Sequence, residues 1–173
     1  PPGVPALIYR DWIRTFQRLG VPAVLDASGL ALRLGLAARP WLIKPNRDEA
    51  EALLGRRLST LDAASGAVRR LLHHGPRVVI LSMGRAGAML GTSRPDGLWL
   101  AKPPAVTVKS AVGAGDSLVA GVVAAWSKGT SLAEAFRWGI ACGAATAMTP
   151  GTELCHRRDV ERLLPRVTVR RVR

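Results

Sequence analysis

Ser110-Ala-Val-Gly-Ala-Gly-Asp116-Ser-Leu-Val-Ala-Gly121 joins a glycine-bearing loop to a helix. Leu118, Val119, Val122, Val123 and Trp126 recur at helical spacing, so the helix begins near Gly115. Gly113 and Gly115 allow backbone conformations closed to other residues and let a ligand come close. A helix N-terminus carries unpaired N–H groups at the positive end of the helix dipole, which attracts anions and phosphates above all. Asp116 falls in the first turn. There it is either a helix-stabilising charge or a base held beside a bound phosphate.

Outward from this segment, helices and buried strands alternate. Leu7, Ile8, Trp12, Ile13, Phe16 and Leu19 mark an amphipathic helix over 5–19, capped at Gly20. Residues 21–26 read as a buried strand, Ser28 as the cap of a helix to about Ala38, and Trp41–Lys44 as the next strand. Asn46 with Glu49 resembles a capping box for a helix ending near Gly55. Thr60 opens another helix, with Ala64, Val68, Leu71 and Leu72 inward, that ends in the solvated pair His73-His74. Val78–Ser82 is a buried strand; Asp96-Gly97 signals a hairpin turn before Leu98–Leu100. A short strand at Val106–Val108 leads into the opening segment. Ser131 with Glu134 reads as a capping box on a helix to about Met148, followed by a helix at 159–164 and a terminal strand at 167–169.

Alternation of this kind specifies an α/β fold with a mostly parallel central sheet and crossover helices on its faces. Ligands of such sheets bind at the carboxyl ends of the strands. Lys44, Ser82 and the 110–116 loop each follow an expected strand, which places them on one edge of one sheet. No internal repeat or linker interrupts the chain, so residues 1–173 read as a single domain.

Composition narrows the function. The chain has 173 residues, 48% hydrophobic and 21% charged, with a formal net charge of +13. No apolar run approaches the ~20 residues of a membrane span. The arginines are scattered in ones and twos apart from a cluster between Arg166 and Arg173. Aromatics are 5% and do not alternate with the basic residues, as a nucleic-acid stacking platform requires. The excess positive charge reads as an arginine-rich proteome plus a phosphate-handling site, and neither nucleic acid nor a membrane is expected as a partner. Cys142 and Cys155 are too few for a disulfide framework, which makes the cytoplasm the default location.

Two further stretches carry chemistry. In Lys44-Pro-Asn46-x-x-Glu49, Lys and Asn suit phosphate oxygens, and Glu49 suits Mg²⁺ directly or through water. Asn46 and Glu49 equally serve as simple helix caps. Ser82-Met-Gly84-x-x-Gly87 is either a nucleotide-facing loop or a strand turn. A Walker loop, a zinc pattern and Gly-x-Ser-x-Gly are all absent.

Taken in order, Lys44-Pro-Asn-x-x-Glu49, Ser82-x-Gly-x-x-Gly-Ala88, Lys102-Pro-Pro104, Ser110-x-Val-Gly-Ala-Gly-Asp-Ser117 and Pro150-Gly-Thr-x-Leu-Cys155 resemble the ribokinase-like sugar kinases, in particular their phosphofructokinase B branch. The resemblance covers nearly the whole chain. It implies a three-layer α-β-α fold and ATP-dependent phosphorylation of a sugar phosphate, with fructose 6-phosphate as first choice. Fructose 1-phosphate and tagatose 6-phosphate are the alternatives, and a non-catalytic nucleotide-binding fragment is the reading from another class. By resemblance, Asp116 is the base, and the Gly113, Ala114 and Gly115 amides form an anion hole. Lys44 and Asn46 contact ATP phosphates, Glu49 organises Mg²⁺, and Ser82, Gly84 and Gly87 line the nucleotide site. Val108 and Ile140 lie near the adenine. Ser110, Val112, Thr146, Thr149, Gly151 and Glu153 surround a monovalent cation such as K⁺. A homodimer is implied for the longer form. Ala111 departs from the family's usual Thr, and Pro1-Pro-Gly-Val4 matches a point well inside such a chain. The expectation is therefore a C-terminal part that keeps the nucleotide half and the base, with the N-terminal part missing.

Overall fold

A computed structural model describes residues 3–172, so Pro1, Pro2 and the last arginine of the basic cluster, Arg173, lie outside the described residues. Among them are seven α-helices and a six-stranded sheet in the order β1-β2-β3-β4-β5-β6. The strands are β1 (Val24–Leu25), β2 (Leu42–Ile43), β3 (Val78–Ser82), β4 (Ala88–Ser93), β5 (Asp96–Lys102) and β6 (Thr168–Val172). This is the α/β class that the alternation specifies. The chain packs as two compact units. One runs to Ser82 and includes Met89–Leu98; the other comprises Met83–Ala88 and the chain from Trp99 onward.

In the first unit β1, β2 and β3 pair in parallel, with Val24 opposite Leu42 and Leu42 opposite Val78. Their apolar runs are continuous because strands covered on both faces need no polar alternation. Leu42, Ile43, Val79, Ile80 and Leu81 are all fully buried. Helix α1 (Ile8–Arg18) ends at Gly20, whose φ is +70°. There the Gly20 N–H donates to Gln17 O and the Val21 N–H to Phe16 O, the paired bonds of a Schellman stop. The amphipathic reading of α1 holds only in part: Ile13 is buried, while Trp12 (53% exposed), Phe16 and Leu19 face outward. Helix α2 (Gly29–Leu36) starts after Ser28, whose side chain makes no capping bond. Helix α3 (Arg47–Leu54) carries the complete Asn46–Glu49 capping box. Helix α4 (Leu61–His73) is capped by Thr60, which accepts from the Ala63 N–H, and buries Ala64, Val68 and Leu71. The hairpin turn falls at Arg94-Pro95 rather than Asp96-Gly97, because Asp96 already belongs to β5.

The ends of β1 and β2 also carry an ion pair. Lys44 is only 6% exposed and its Nζ lies 3.1 Å from Asp26 Oδ1. A buried ammonium is tolerated only with such a partner, since burial strips it of water.

The second unit is built on α5 (Ala114–Trp126) and α6 (Leu132–Ala147), joined by α7 (Arg157–Leu163). α5 and α6 cross at three glycines. A Cβ added to Gly121 would lie 3.0 Å from Gly139 Cα, one on Gly139 would lie 2.6 Å from Leu118 O, and one on Gly143 would lie 2.9 Å from Ala114 O. Backbone therefore rests on backbone, and Leu118, Val122, Phe136 and Ala145 fill the flanks. Ser131 caps α6 by accepting from the Glu134 N–H, one half of the expected box. No strand forms at Val106–Val108 among the described residues; residues 103–108 are irregular after Pro103-Pro104. The 110–116 loop is held instead by α6, through the Lys109 N–H donating to Ala147 O at 2.8 Å.

Gly139→Ala is expected to cost about 1–3 kcal/mol, the usual price of overpacking. Gly66→Ala in α4, where nothing lies within 4 Å of the added methyl, is expected to gain about 0.5–1 kcal/mol. Urea denaturation should move the two midpoints in opposite directions, and an unshifted Gly139→Ala would mean that α5 and α6 separate freely. Asp26→Asn is expected to lose about 1–3 kcal/mol by stranding the Lys44 charge. The apolar Lys44→Met should lose less, and the reverse order would refute the ion-pair account.

Candidate active site

Lys44, Pro45 and Asn46 continue directly from β2, and Asn46 forms an isolated parallel bridge with Ser82 at the end of β3. The Ser82 N–H donates to Pro45 O at 3.0 Å. The structure therefore brings Lys44, Asn46, Glu49 and Ser82 together at the carboxyl ends of two neighbouring strands. Asn46 Oδ1 accepts from the Glu49 N–H at 2.9 Å, and Glu49 Oε2 accepts from the Asn46 N–H at 2.8 Å. The two roles read from the sequence, cap and ligand, are compatible for Glu49. Capping uses Oε2, and Oε1 has no donor among the described residues. An oxygen donor of this kind fits Mg²⁺ held through one of its waters, the mode a reluctantly dehydrated cation favours. Asn46 is exposed, with its amide nitrogen outside the capping box. Lys44, by contrast, is turned inward to Asp26.

Asp26 is the residue that sequence reading missed here. The signal was available: a carboxylate at the end of an apolar strand, beside a strand that ends in lysine. Only the parallel register makes the two neighbours, since Leu25 lies opposite Ile43.

In the second unit, Gly84 and Gly87 bracket a single 3-10 turn, with φ of +59° and +97°. Gly87 is packed against the Ala101 backbone, where a Cβ would collide. Its glycine requirement is thus explained by packing, and the Met83 N–H closes the turn onto Gly87 O at 2.9 Å.

Gly113 is the N-cap of α5, in the left-handed region with φ +76°. That conformation turns the chain into the helix and sets Gly113 against Thr146, whose Cγ2 would be 3.7 Å from an added Cβ. The Ala114 N–H donates to Ala111 O at 3.3 Å, while the Gly113, Gly115 and Asp116 amides have no acceptor among the described residues. Asp116 is exposed in the first turn of the helix, and its carboxylate is in no ion pair among the described residues. Free amides and a free carboxylate thus share one helix start. The amides attract an anion, and the carboxylate can accept a proton.

Of the cation candidates, Ser110, Thr146, Thr149 and Glu153 are tied together locally. Lys109 and Ser110 N–H groups both donate to Ala147 O, and the Thr149 hydroxyl lies within hydrogen-bond distance of both Thr146 O and Glu153 O, which share its one proton. Thr146 is fully buried, with its hydroxyl 2.7 Å from Ser117 Oγ. Gly151 supplies the left-handed turn at φ +58°. Glu153 directs its side chain to His156 at 2.8 Å, which leaves mainly its carbonyl for the turn. Val112 is exposed and contributes only backbone. The two adenine candidates differ: Val108 is exposed, whereas Ile140 is buried at 4% within the helix packing. Ser117 is a second residue overlooked in the sequence, where its place after Asp116 hid a buried hydroxyl that anchors α5 to α6.

The model of the pfkB family carbohydrate kinases matches residues 1–158. The 1-phosphofructokinase of Haemophilus influenzae is 39% identical over 145 residues, which are 83% of this chain and 46% of that protein. The ATP-dependent 6-phosphofructokinase isozyme 2 of Mycobacterium tuberculosis is 37% identical over 163 residues, covering 94% of this chain and 47% of that one. Phosphofructokinase-2 of Escherichia coli, solved in complex with potassium, superposes with a TM-score of 0.88 at 33% identity, over 96% of this chain and 54% of that chain. The chain thus spans about half the length of the relatives it matches. On the match over residues 1–158, it belongs to the pfkB family of carbohydrate kinases.

Proposed function

We propose that this chain is the ATP-handling half of a phosphofructokinase-type sugar kinase and that residues 1–173 act as one domain in that role. The observation that carries the reading is the helix start at 113–116, where unpaired amides and the exposed Asp116 carboxylate sit in one turn. Asp116 takes the proton of a sugar hydroxyl as its oxygen attacks the γ-phosphorus of ATP; the bond to the β-phosphate oxygen breaks and ADP leaves. The Gly113 and Gly115 amides stabilise the charge that develops on the transferring group, and Ala114 joins them if its long bond to Ala111 opens. Asn46 contacts the ATP phosphates. Lys44 contributes positive charge from within its pair with Asp26 rather than a free ammonium. Ser82, Gly84 and Gly87 line the nucleotide site, with Val108 against the base; Ile140 backs it only through the helix it stabilises. Glu49 Oε1 would hold Mg²⁺ through a water, and the bound ion would neutralise phosphate charge. The turn around Thr146, Thr149, Gly151 and Glu153, with Ser110 and the Val112 backbone, suits K⁺, the cation named for the Escherichia coli relative.

The sugar is a fructose monophosphate. Fructose 6-phosphate is the first reading; fructose 1-phosphate is the second, supported by the 39% identical Haemophilus influenzae protein. A homodimer belongs to the same reading.

ADP release from ATP-Mg²⁺ with fructose 6-phosphate, fructose 1-phosphate and tagatose 6-phosphate tests it, on this chain and on the longest form its gene encodes. Asp116→Asn is expected to lower kcat by about 10²–10⁴-fold while leaving ATP-Mg²⁺ affinity intact by calorimetry. A variant with parental kcat would remove Asp116 as base. Binding of ATP by every form with turnover by none would leave a nucleotide-binding module.

A further inference from the structure

Helix α1 leaves most of its apolar side uncovered. Tyr9, Trp12, Phe16 and, at the C-cap, Leu19 follow at intervals of three, four and three residues, which aligns them on one face. Trp12 is 53% and Leu19 69% exposed, with Tyr9 and Phe16 exposed beside them. The Tyr9 and Trp12 rings meet edge to face, 6.2 Å apart. The neighbouring edge of the helix is anchored. Ile13 is buried, and its Cδ1 would be 3.6 Å from a Cβ on Gly35 of α2. The Gln17 side-chain amide donates to Ala38 O at 2.7 Å and to Arg39 O at 2.9 Å. These contacts hold α1 with the stripe turned to solvent. A contiguous stripe of this kind marks an interaction surface.

We propose that the stripe is a contact between two copies of this chain, their α1 helices antiparallel across a two-fold axis. A two-fold contact needs a surface complementary to itself. The spacing of the stripe reads the same in both directions about Arg14, so an antiparallel copy sets Trp12 against the partner's Phe16 and Tyr9 against the partner's Leu19. Arg14 itself falls on the opposite side of the helix, so like charges do not meet across the axis. The stripe carries no charge, which leaves an anionic partner nothing there to select. Asp11 and Arg18, seven residues apart, run along one flank of it. The same axis brings Asp11 to the partner's Arg18 and Arg18 to the partner's Asp11. Arg10 holds Asp11 through Oδ1 at 2.8 Å, and Oδ2 has no donor among the described residues. Exposed pairs add little affinity but set register. Area sets the strength: the four side chains offer on the order of 400 Å² per copy, so two copies bury roughly 800 Å² of apolar surface before the flanks are added. That is the size of a weak, reversible association. The inference gives the homodimer of the proposed function a surface and rests on that reading only there. Mass reads it whether or not the chain turns over ATP, so its failure and that of the kinase reading are separate results.

Sedimentation velocity on this chain from about 1 to 100 µM is the test. The mass is expected to rise from that of one copy toward that of two, with no larger species. Trp12→Glu and Phe16→Glu should each stay a single copy throughout and, since both side chains are exposed, melt like the parent. Asp11→Arg and Arg18→Asp should each weaken association, and the double variant D11R/R18D should restore it. A single copy at every concentration of the parent, association unchanged in Trp12→Glu, or a double variant no better than the singles would each overturn the proposal. So would a longest gene-encoded form that stays a single copy while hydroxyl-radical footprinting no longer labels Trp12, because the stripe would then be covered within one chain.

Discussion

The contact between α5 and α6 governs the second unit. Gly121, Gly139 and Gly143 let two helix backbones touch without side chains between them. Close backbone approach maximises dispersion contact, and it leaves no slack to move one helix against the other. The consequence reaches the candidate site directly. Gly143 faces Ala114 O, in the first residue of α5, and Thr146 one turn on faces both Gly113 and Ser117. The helix start that presents Asp116 is therefore positioned by α6 and not by its own loop. The loop itself has few bonds: the Val112 N–H to Ser110 Oγ at 3.2 Å, and Ala114 to Ala111.

A parallel logic operates at the ends of β2 and β3. Parallel pairing sets Asn46 beside Ser82, and the capping box fixes Asn46 and Glu49 in one mutual orientation. A cap and a phosphate ligand are often opposed readings of one residue. Here capping uses one carboxylate oxygen and one amide oxygen, so the remaining polar atoms are oriented without being consumed. Lys44 shows the opposite outcome. Its ammonium is turned to Asp26 and engaged in that ion pair.

Most helix boundaries were legible because they rest on local chemistry. Gly20, Asn46 and Thr60 do what their residue types favour: a left-handed stop, a capping box and a hydroxyl cap. β3 was legible because a fully buried parallel strand writes a continuous apolar run. The misread elements have equally local causes. Val106–Val108 has strand propensity, but no strand forms there among the described residues, and Pro103-Pro104 removes two donors just before it. Asp96-Gly97 is a good turn dipeptide overridden by Arg94-Pro95, two residues earlier. Periodicity in α1 gave an apolar face but not its burial, since helical spacing says which residues align and not what meets them.

By itself the sequence determined the α/β class, the capped helices and the glycine-marked helix start with Asp116 in its first turn, because each depends on residues within a few positions of one another. The family motifs added the chemistry. Tertiary structure alone decided that Lys44 is paired with Asp26 and that Ser117 and Thr146 bind α5 to α6. Each of these joins residues far apart in the chain, and their proximity follows from strand register and helix packing, which no local pattern encodes. For Asp116 the difference is sharpest. Its place in the first turn is local information; that its carboxylate is exposed and in no ion pair among the described residues is a result of how α6 holds the turn.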